Sequence, residues 1–349
     1  MVRIARVFGI GVYIHPTFWL LIVWVGLGDF LRSRSLNSAL QGVLFILVLF
    51  ACVVLHEFGH ALMARRYGVR TRDITLYPIG GVARLERIPE QPLQELWIAF
   101  AGPAVNGLIA LLLWSVLQLP FSISASSFWS RVLTVNLFLA GFNLLPAFPM
   151  DGGRVLRALL ALKMDYLRAT SIATRVGTAL AFLFGAVGIF GNPMLLFIAL
   201  FVWLGATEEG ELVRRRAALS GVPVMQAMLT RYDVLSPQST LKDAVQLLLA
   251  GTQPDFPIVE NGRVVGMLTR EALAQGLSHL GEDAPVTEVM IAVPVEVHPQ
   301  QPLNDVLPLF QETGLHTLPV TRDGELIGLL NSENISDLLL IQSAKRSSS

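Results

Sequence analysis

The chain has 349 residues, of which 53% are hydrophobic and only 15% charged, and its 26 Lys and Arg balance its 26 Asp and Glu. A soluble domain carries about 25% charged residues, so this composition excludes a disordered or collagen-like chain, and the lack of basic excess argues against a nucleic-acid partner. The one cysteine, Cys52, excludes an intramolecular disulfide and reads as a small buried hydrophobe. The neutral total hides two unlike parts. Residues 1–209 hold 16 basic and 10 acidic side chains, whereas residues 210–349 hold 10 and 16, which points to two regions in different surroundings.

A membrane-spanning helix needs about 20 largely apolar residues. Uncharged runs on that scale cover Val7–Gly28, Ser35–Leu55, Leu96–Ser130, Val132–Met150 and Val176–Thr207. The first is too long for a signal-peptide core and lacks a small-residue cleavage pattern. The third is cut after one span by Gln118-Leu119-Pro120, and the last is split by the turn signal Gly191-Asn192-Pro193. Six spans are expected, at about 14–31, 40–64, 94–118, 130–147, 173–190 and 193–209. Alternating the loops puts 16 Lys and Arg on one side, with only Arg32, Arg34 and Arg131 on the other. Both termini and the second half are therefore expected on the cytosolic side of a cell membrane.

The second span ends Leu55-His56-Glu57-Phe58-Gly59-His60. On a helix, positions i and i+4 share a face, so His56 and His60 can bind one metal together, with Glu57 near enough to take a proton from a metal-bound water. The bland alternative is a pair of packing histidines, which the cost of ionisable groups inside a span disfavours. The fourth span ends Asn143-Leu144-Leu145-Pro146-Ala147-Phe148-Pro149-Met150-Asp151-Gly152-Gly153. Its prolines stop the helix and expose backbone, which membrane depth tolerates only around a cavity or within protein. Asp151 then lies at the same depth as the histidines, and two His with one carboxylate leave an open position for water, as catalytic zinc requires. Asp151 reads otherwise as a helix N-cap for residues 152–162. His15, His279, His298 and His316 have no ligand spacing, and Trp19 and Trp24 read as packing residues.

The two motifs together resemble the site-2 intramembrane metalloproteases, which carry a His-Glu-x-x-His helix and a later Asn-x-x-Pro-x-x-Pro-x-Asp-Gly. The resemblance covers residues 1–210 and includes Tyr77-Pro78-Ile79-Gly80-Gly81 and Ala101-Gly102-Pro103-Ala104-Val105-Asn106-Gly107. It implies a six-span helical core, one zinc on His56, His60 and Asp151, and Glu57 as catalytic base. The substrate it implies is a single-span membrane protein, cut within or near its transmembrane segment. Residues 69–85 could form a membrane-embedded hairpin, marked in the family by Gly80 and Gly81, whose edge pairs with an unwound substrate, or an ordinary surface turn. Asn143 is a candidate hydrogen-bonding partner of substrate or oxyanion, or a structural residue of the proline-broken segment. Asn106 either faces the site or sits in a stripe of small residues that lets helices approach.

Beyond Arg214-Arg215-Arg216 an internal repeat appears at an offset of 62 residues: Met228 with Met290, Pro237 with Pro299, Pro257 with Pro319, Gly262 with Gly324 and Glu271 with Glu333. Each unit reads strand, helix, strand, tight turn, strand, helix, with Asn261-Gly262 and Asp323-Gly324 as hairpin signals. These units resemble a tandem pair of cystathionine-β-synthase-type (CBS) domains. The resemblance implies a compact α/β module that often forms homodimers and often binds an adenine nucleotide. In the family's Gly-x-x-Thr/Ser-x-x-Asp pattern, Gly266 and Thr269 match but Ala272 fills the last place; the second unit has Asn331 and Asn334. Glu271 and Glu333 are partial substitutes one residue earlier. The expected organisation is a membrane domain at 1–210, a linker at 211–222, CBS domains at 223–281 and 285–342, and a disordered tail at 343–349. The fold class is a polytopic α-helical membrane protein with a small β element and a soluble α/β CBS module. A CBS-regulated channel or transporter and an inactive scaffold are the alternatives. The first is disfavoured by spans almost empty of ionisable residues away from the metal motif, the second by an intact Glu57.

Overall fold

The computed structural model describes residues 1–78, 80–85, 91–117, 127–292 and 295–347. The chain divides into two compact units, Met1–Val213 and Arg214–Ser349.

The first unit opens with a β-hairpin, β1 (Val2–Val7) and β2 (Ile10–Ile14), ahead of the first expected span at about 14–31. The apolar run that starts at Val7 is therefore part strand. Helix α1 (Thr17–Ser33) follows, then α2 (Leu36–Arg66). Strands β3 (Thr71–Tyr77) and β4 (Gly80–Leu85) complete a four-stranded sheet of order β1-β2-β3-β4, with β2 and β3 parallel and the other pairs antiparallel. Alternate residues of β2 point inward, so Ile10 and Val12 bury with Ile74 of β3 against Phe58 and Ala61 of α2. Ile14 and Leu76 pack on Phe18 and Phe50. This packing lays the sheet along the helix that carries the histidines.

Helices α3 (Pro92–Leu117) and α4 (Phe128–Asn143) come next. The expected break at 118–120 lies outside the described residues. A segment at 144–150 leads into α5 (Asp151–Ala161), followed by α6 (Tyr166–Phe190) and α7 (Met194–Leu219). The break between α6 and α7 falls at the expected turn, where Asn192 Oδ1 accepts the Met194 N–H at 3.0 Å. Among the described residues, three helices, α2, α3 and α6, are long and apolar enough to cross a membrane. The other three expected spans correspond to α1 and α4, of 17 and 16 residues, and to α7, which carries Glu208, Glu209 and Glu211 toward its C-terminal end. Residues 211–219, expected as linker, continue α7.

In the second unit α8 (Leu241–Ala250), β5 (Phe256–Glu260), β6 (Arg263–Leu268) and α9 (Arg270–Leu280) are repeated as α10 (Leu303–Thr313), β7 (Thr317–Arg322), β8 (Glu325–Asn331) and α11 (Ser332–Ser347). The leading strand of each repeat is reduced to one parallel bridge, Leu235 to Ile258 and Val297 to Val320. Both hairpins turn through left-handed pairs, Asn261 (φ 50°) with Gly262 (φ 81°) and Asp323 (φ 54°) with Gly324 (φ 84°), as the two-residue turn demands. The repeats exchange backbone bonds: Leu229 pairs with Leu329 of β8, and Ile291 pairs with Met267 of β6. Helix α11 runs into the segment expected as a disordered tail, and residues 348–349 lie outside the described residues.

Candidate metal centre

The last three turns of α2 place His56 and His60 on one face, both buried, with ring centroids 4.7 Å apart. Asp151 is the first residue of α5, after the N-cap Met150, and buried; its carboxylate turns to the histidines. Asp151 Oδ2 lies 3.2 Å from each Nε2, and the two Nε2 atoms are 3.1 Å apart. Zinc held tetrahedrally by nitrogen and oxygen at about 2.0–2.1 Å keeps its ligand atoms about 3.3 Å apart, so this triangle fits the ion.

The opposite ring edges settle which nitrogens are free. His56 Nδ1 lies 2.5 Å from Asn106 Oδ1, and His60 Nδ1 lies 2.7 Å from the Ile98 carbonyl oxygen. Both partners are acceptors, so both Nδ1 atoms carry the proton. In the neutral rings the two Nε2 lone pairs then face each other and a carboxylate, an arrangement that repels itself unless a cation sits between. The Asn106 side chain is in turn held: its Nδ2 donates to Asn136 Oδ1 at 2.8 Å, and Asn136 Nδ2 donates to the Val132 carbonyl at 2.9 Å.

Helix α3 is the platform for this chain of bonds. Gly59 of α2 lets the helices close up, since a Cβ there would lie 2.7 Å from the Ala101 carbonyl oxygen. Gly102 faces the ligand atoms themselves: a Cβ there would collide with His60 Nε2 and lie 2.6 Å from His56 Nε2. Asn106 was expected to face the site or allow packing. It is fully buried, with Oδ1 on His56 and Nδ2 on Asn136, and so holds His56. The roles of Ile98, Gly102 and Asn136 were not anticipated. The small-residue pattern Ala101-Gly102-Pro103 was visible, but not which atoms it faces.

Glu57 is half-buried and packs against β4, the last strand of the sheet. A Cβ on Gly81 would lie 2.8 Å from Glu57 Cγ and 3.3 Å from Glu57 Oε1. Gly80 has φ +146°, a conformation that favours glycine, and opens the strand opposite Tyr77. Asn143 is the half-buried last residue of α4, and makes no hydrogen bond to His56, His60 or Asp151 among the described residues. The 144–150 segment folds tightly over the start of α5. A Cβ on Gly153 would lie 2.6 Å from the Phe148 nitrogen, and one on Gly152 would strike the carbonyls of Leu144 and Leu145. Those two glycines thus bring Asp151 under the segment that precedes it.

In the second unit Thr269 and Asn331 occupy equivalent positions and cap equivalent helices. Thr269 Oγ1 accepts the Ala272 N–H at 3.1 Å, and Asn331 Oδ1 accepts the Asn334 N–H at 2.8 Å. Glu271 is exposed and Asn334 half-buried. The cap role explains these two residue types without a ligand.

A family model described as peptidase family M50 matches residues 44–124 and 119–184, and the CBS domain model matches 214–279 and 286–341. Zinc metalloprotease MJ0392 of Methanocaldococcus jannaschii is 34% identical over 337 residues, 96% of this chain and 94% of that protein. Putative zinc metalloprotease sll0528 of Synechocystis sp. is 28% identical, covering 98% of this chain and 96% of its own. A solved structure, the site-2 protease from Methanocaldococcus jannaschii, is 40% identical over 60% of this chain and 94% of that one, with a TM-score of 0.45. The fold and matches define a zinc metalloprotease of the membrane that carries two CBS domains. The chain belongs to peptidase family M50.

Proposed function

We propose that this chain hydrolyses a peptide bond within or beside the transmembrane segment of a single-span membrane protein. The observation that carries this reading is the buried triangle of His56, His60 and Asp151, with Glu57 beside it on the same helix and against the outer strand β4. His56, His60 and Asp151 would hold one zinc. When bound, zinc polarises the scissile carbonyl and lowers the pKa of its water toward about 7. Glu57 takes a proton from the attacking water and returns it to the leaving amine. A helix in lipid has every amide engaged, so the substrate must unwind before it is cut. The unwound segment adds to the free edge of β4, where Gly80 and Gly81 present bare backbone for strand addition beside Glu57. Asn143 hydrogen-bonds the substrate at the end of α4.

The arginine distribution supports a topology with both termini, the CBS pair and the metal site toward the cytosol. Apolar side chains exposed along α1 and α7, among them Trp19, Trp24, Phe197 and Phe201, support burial of these helices in the bilayer as well. The CBS pair serves as a regulatory module that takes an adenine nucleotide or pairs two copies of the chain.

The test is cleavage of a single-span protein by the chain in liposomes, with the cut mapped by mass. Glu57→Gln should abolish cleavage and keep one zinc per chain. Persistent cleavage in that variant would refute the role of Glu57. A wild-type chain that holds no zinc would refute the metal site.

A further inference from the structure

A second buried ionic group joins α3, α5 and α7. Arg157 of α5 is fully buried. Its Nε donates to Glu95 Oε1 of α3 at 2.8 Å, its Nη2 donates to the same oxygen, and its Nη1 donates to Glu209 Oε1 of α7. The guanidinium lies between two rings, 4.9 Å from the centroid of Phe148 and 4.9 Å from that of Tyr166. Glu95 is buried, and its Oε2 has no hydrogen-bond partner among the described residues.

Replacing such a buried ionic group by apolar packing is often neutral or favourable, so stability alone gives no reason for this one. Its place in the fold does. Glu95, Ile98, Gly102 and Asn106 follow one another at spacings of three, four and four, which is one face of α3. On that face Asn106 fixes His56, the Ile98 carbonyl fixes His60, and Gly102 faces both Nε2 atoms. Glu95 completes the row by holding Arg157, six residues beyond Asp151 on the same short helix. Arg157 also stacks on Phe148, three residues before Asp151, in the segment that folds onto the start of α5. The planar guanidinium fork sets direction as well as distance, which a point charge does not.

We propose that Arg157, held by Glu95 and Glu209, is the positioning residue for the third metal ligand: it fixes α5 and the 144–150 segment so that the Asp151 carboxylate meets the two histidines. α3 then orients all three ligands. This rests on the metal site proposed above, and the experiment separates the two readings.

The full chain in detergent is loaded with zinc, and zinc affinity is measured by chelator competition; cobalt is then substituted and its visible absorption recorded. The variants are Arg157→Lys, Arg157→Met and the paired Glu95→Gln with Arg157→Met, which leaves no unmatched carboxylate at position 95. Folding is checked by size-exclusion and thermal unfolding. Partners that orient metal ligands are worth about 10–100-fold in affinity or activity. In folded protein, all three variants should lose zinc affinity in that range, with an altered cobalt spectrum and Arg157→Lys least affected. Folded variants with wild-type affinity and an unchanged spectrum would overturn the proposal. So would failure of all three to fold, which would make the group a folding element only. A wild-type chain without zinc would instead refute the metal site itself.

Discussion

Gly102→Ala tests whether α3 shapes the metal centre. The added methyl would collide with His60 Nε2 and lie 2.6 Å from both His56 Nε2 and His60 Cε1. Comfortable contact starts at about 3.5 Å, so the rings must retreat by about 1 Å. Zinc coordination distances hold to about 0.2 Å, and the rings are tethered behind by Asn106 and Ile98, so the triangle cannot survive the retreat. Zinc affinity should fall by about 100-fold or more, ~2.8 kcal/mol at that limit. The cost to folding is smaller. Overpacking costs about 1–3 kcal/mol, and alanine recovers about 1 kcal/mol of helix propensity over glycine. The discriminating assay therefore compares zinc affinity by chelator competition with thermal unfolding of the apo chain. Gly107→Ala is the control: it lies on the same helix with nothing within 4 Å of an added Cβ, and should bind zinc normally. Normal zinc affinity and cleavage in Gly102→Ala would refute the placement of α3 against the ligands.

Asn106→Leu removes the acceptor behind His56 and should lower zinc affinity about 10–100-fold, read by the same competition; unchanged affinity would mean that the ring needs no orienting partner. Gly81→Val puts a branched side chain onto Glu57, and is expected to reduce turnover at least tenfold with one zinc per chain retained, which parallel metal analysis and cleavage rates will check. In the CBS unit the Thr240 backbone N–H and hydroxyl donate to Asp243 and hold its carboxyl below the usual carboxylate range. A lowered folded pKa means that the contribution is complete above the unfolded pKa of about 3.9 and is lost as pH falls through the folded value. The protection of α8 amides, relative to their intrinsic exchange rates, should thus fall below about pH 4 in the native chain and lose that acid dependence in Asp243→Asn. An identical acid profile in the variant would remove the capping box as its source.

The membrane unit was legible wherever a local rule sufficed. Histidines four apart on a helix must share a face, and Gly191-Asn192-Pro193 breaks a helix wherever it falls. The 62-residue repeat with its Asn-Gly and Asp-Gly turns gave the second unit in the same way. Local rules were silent at residues 2–14, ahead of the first expected span. Strand β2 pairs with its neighbour β1 and also with β3, some sixty residues on, and that second partner leaves no mark in a local window. They failed at Arg157, counted as one more loop arginine. Its two carboxylates lie 62 and 52 residues away, and each alone looks like an ordinary charge near a helix end.

The sequence by itself determined the chemistry available: two imidazoles at helical spacing, a glutamate between them, and an aspartate after a proline-broken span. It determined as well that a repeated α/β module follows. Only the tertiary structure decided which atoms of those residues are free. The Nδ1 protons are committed to Asn106 and Ile98, 50 and 38 residues away, because Gly59 lets α2 close on α3. That leaves both Nε2 lone pairs turned toward Asp151. Ligand identity is a property of residue type, but the direction of a lone pair depends on what stands behind the ring, and helix packing supplies that.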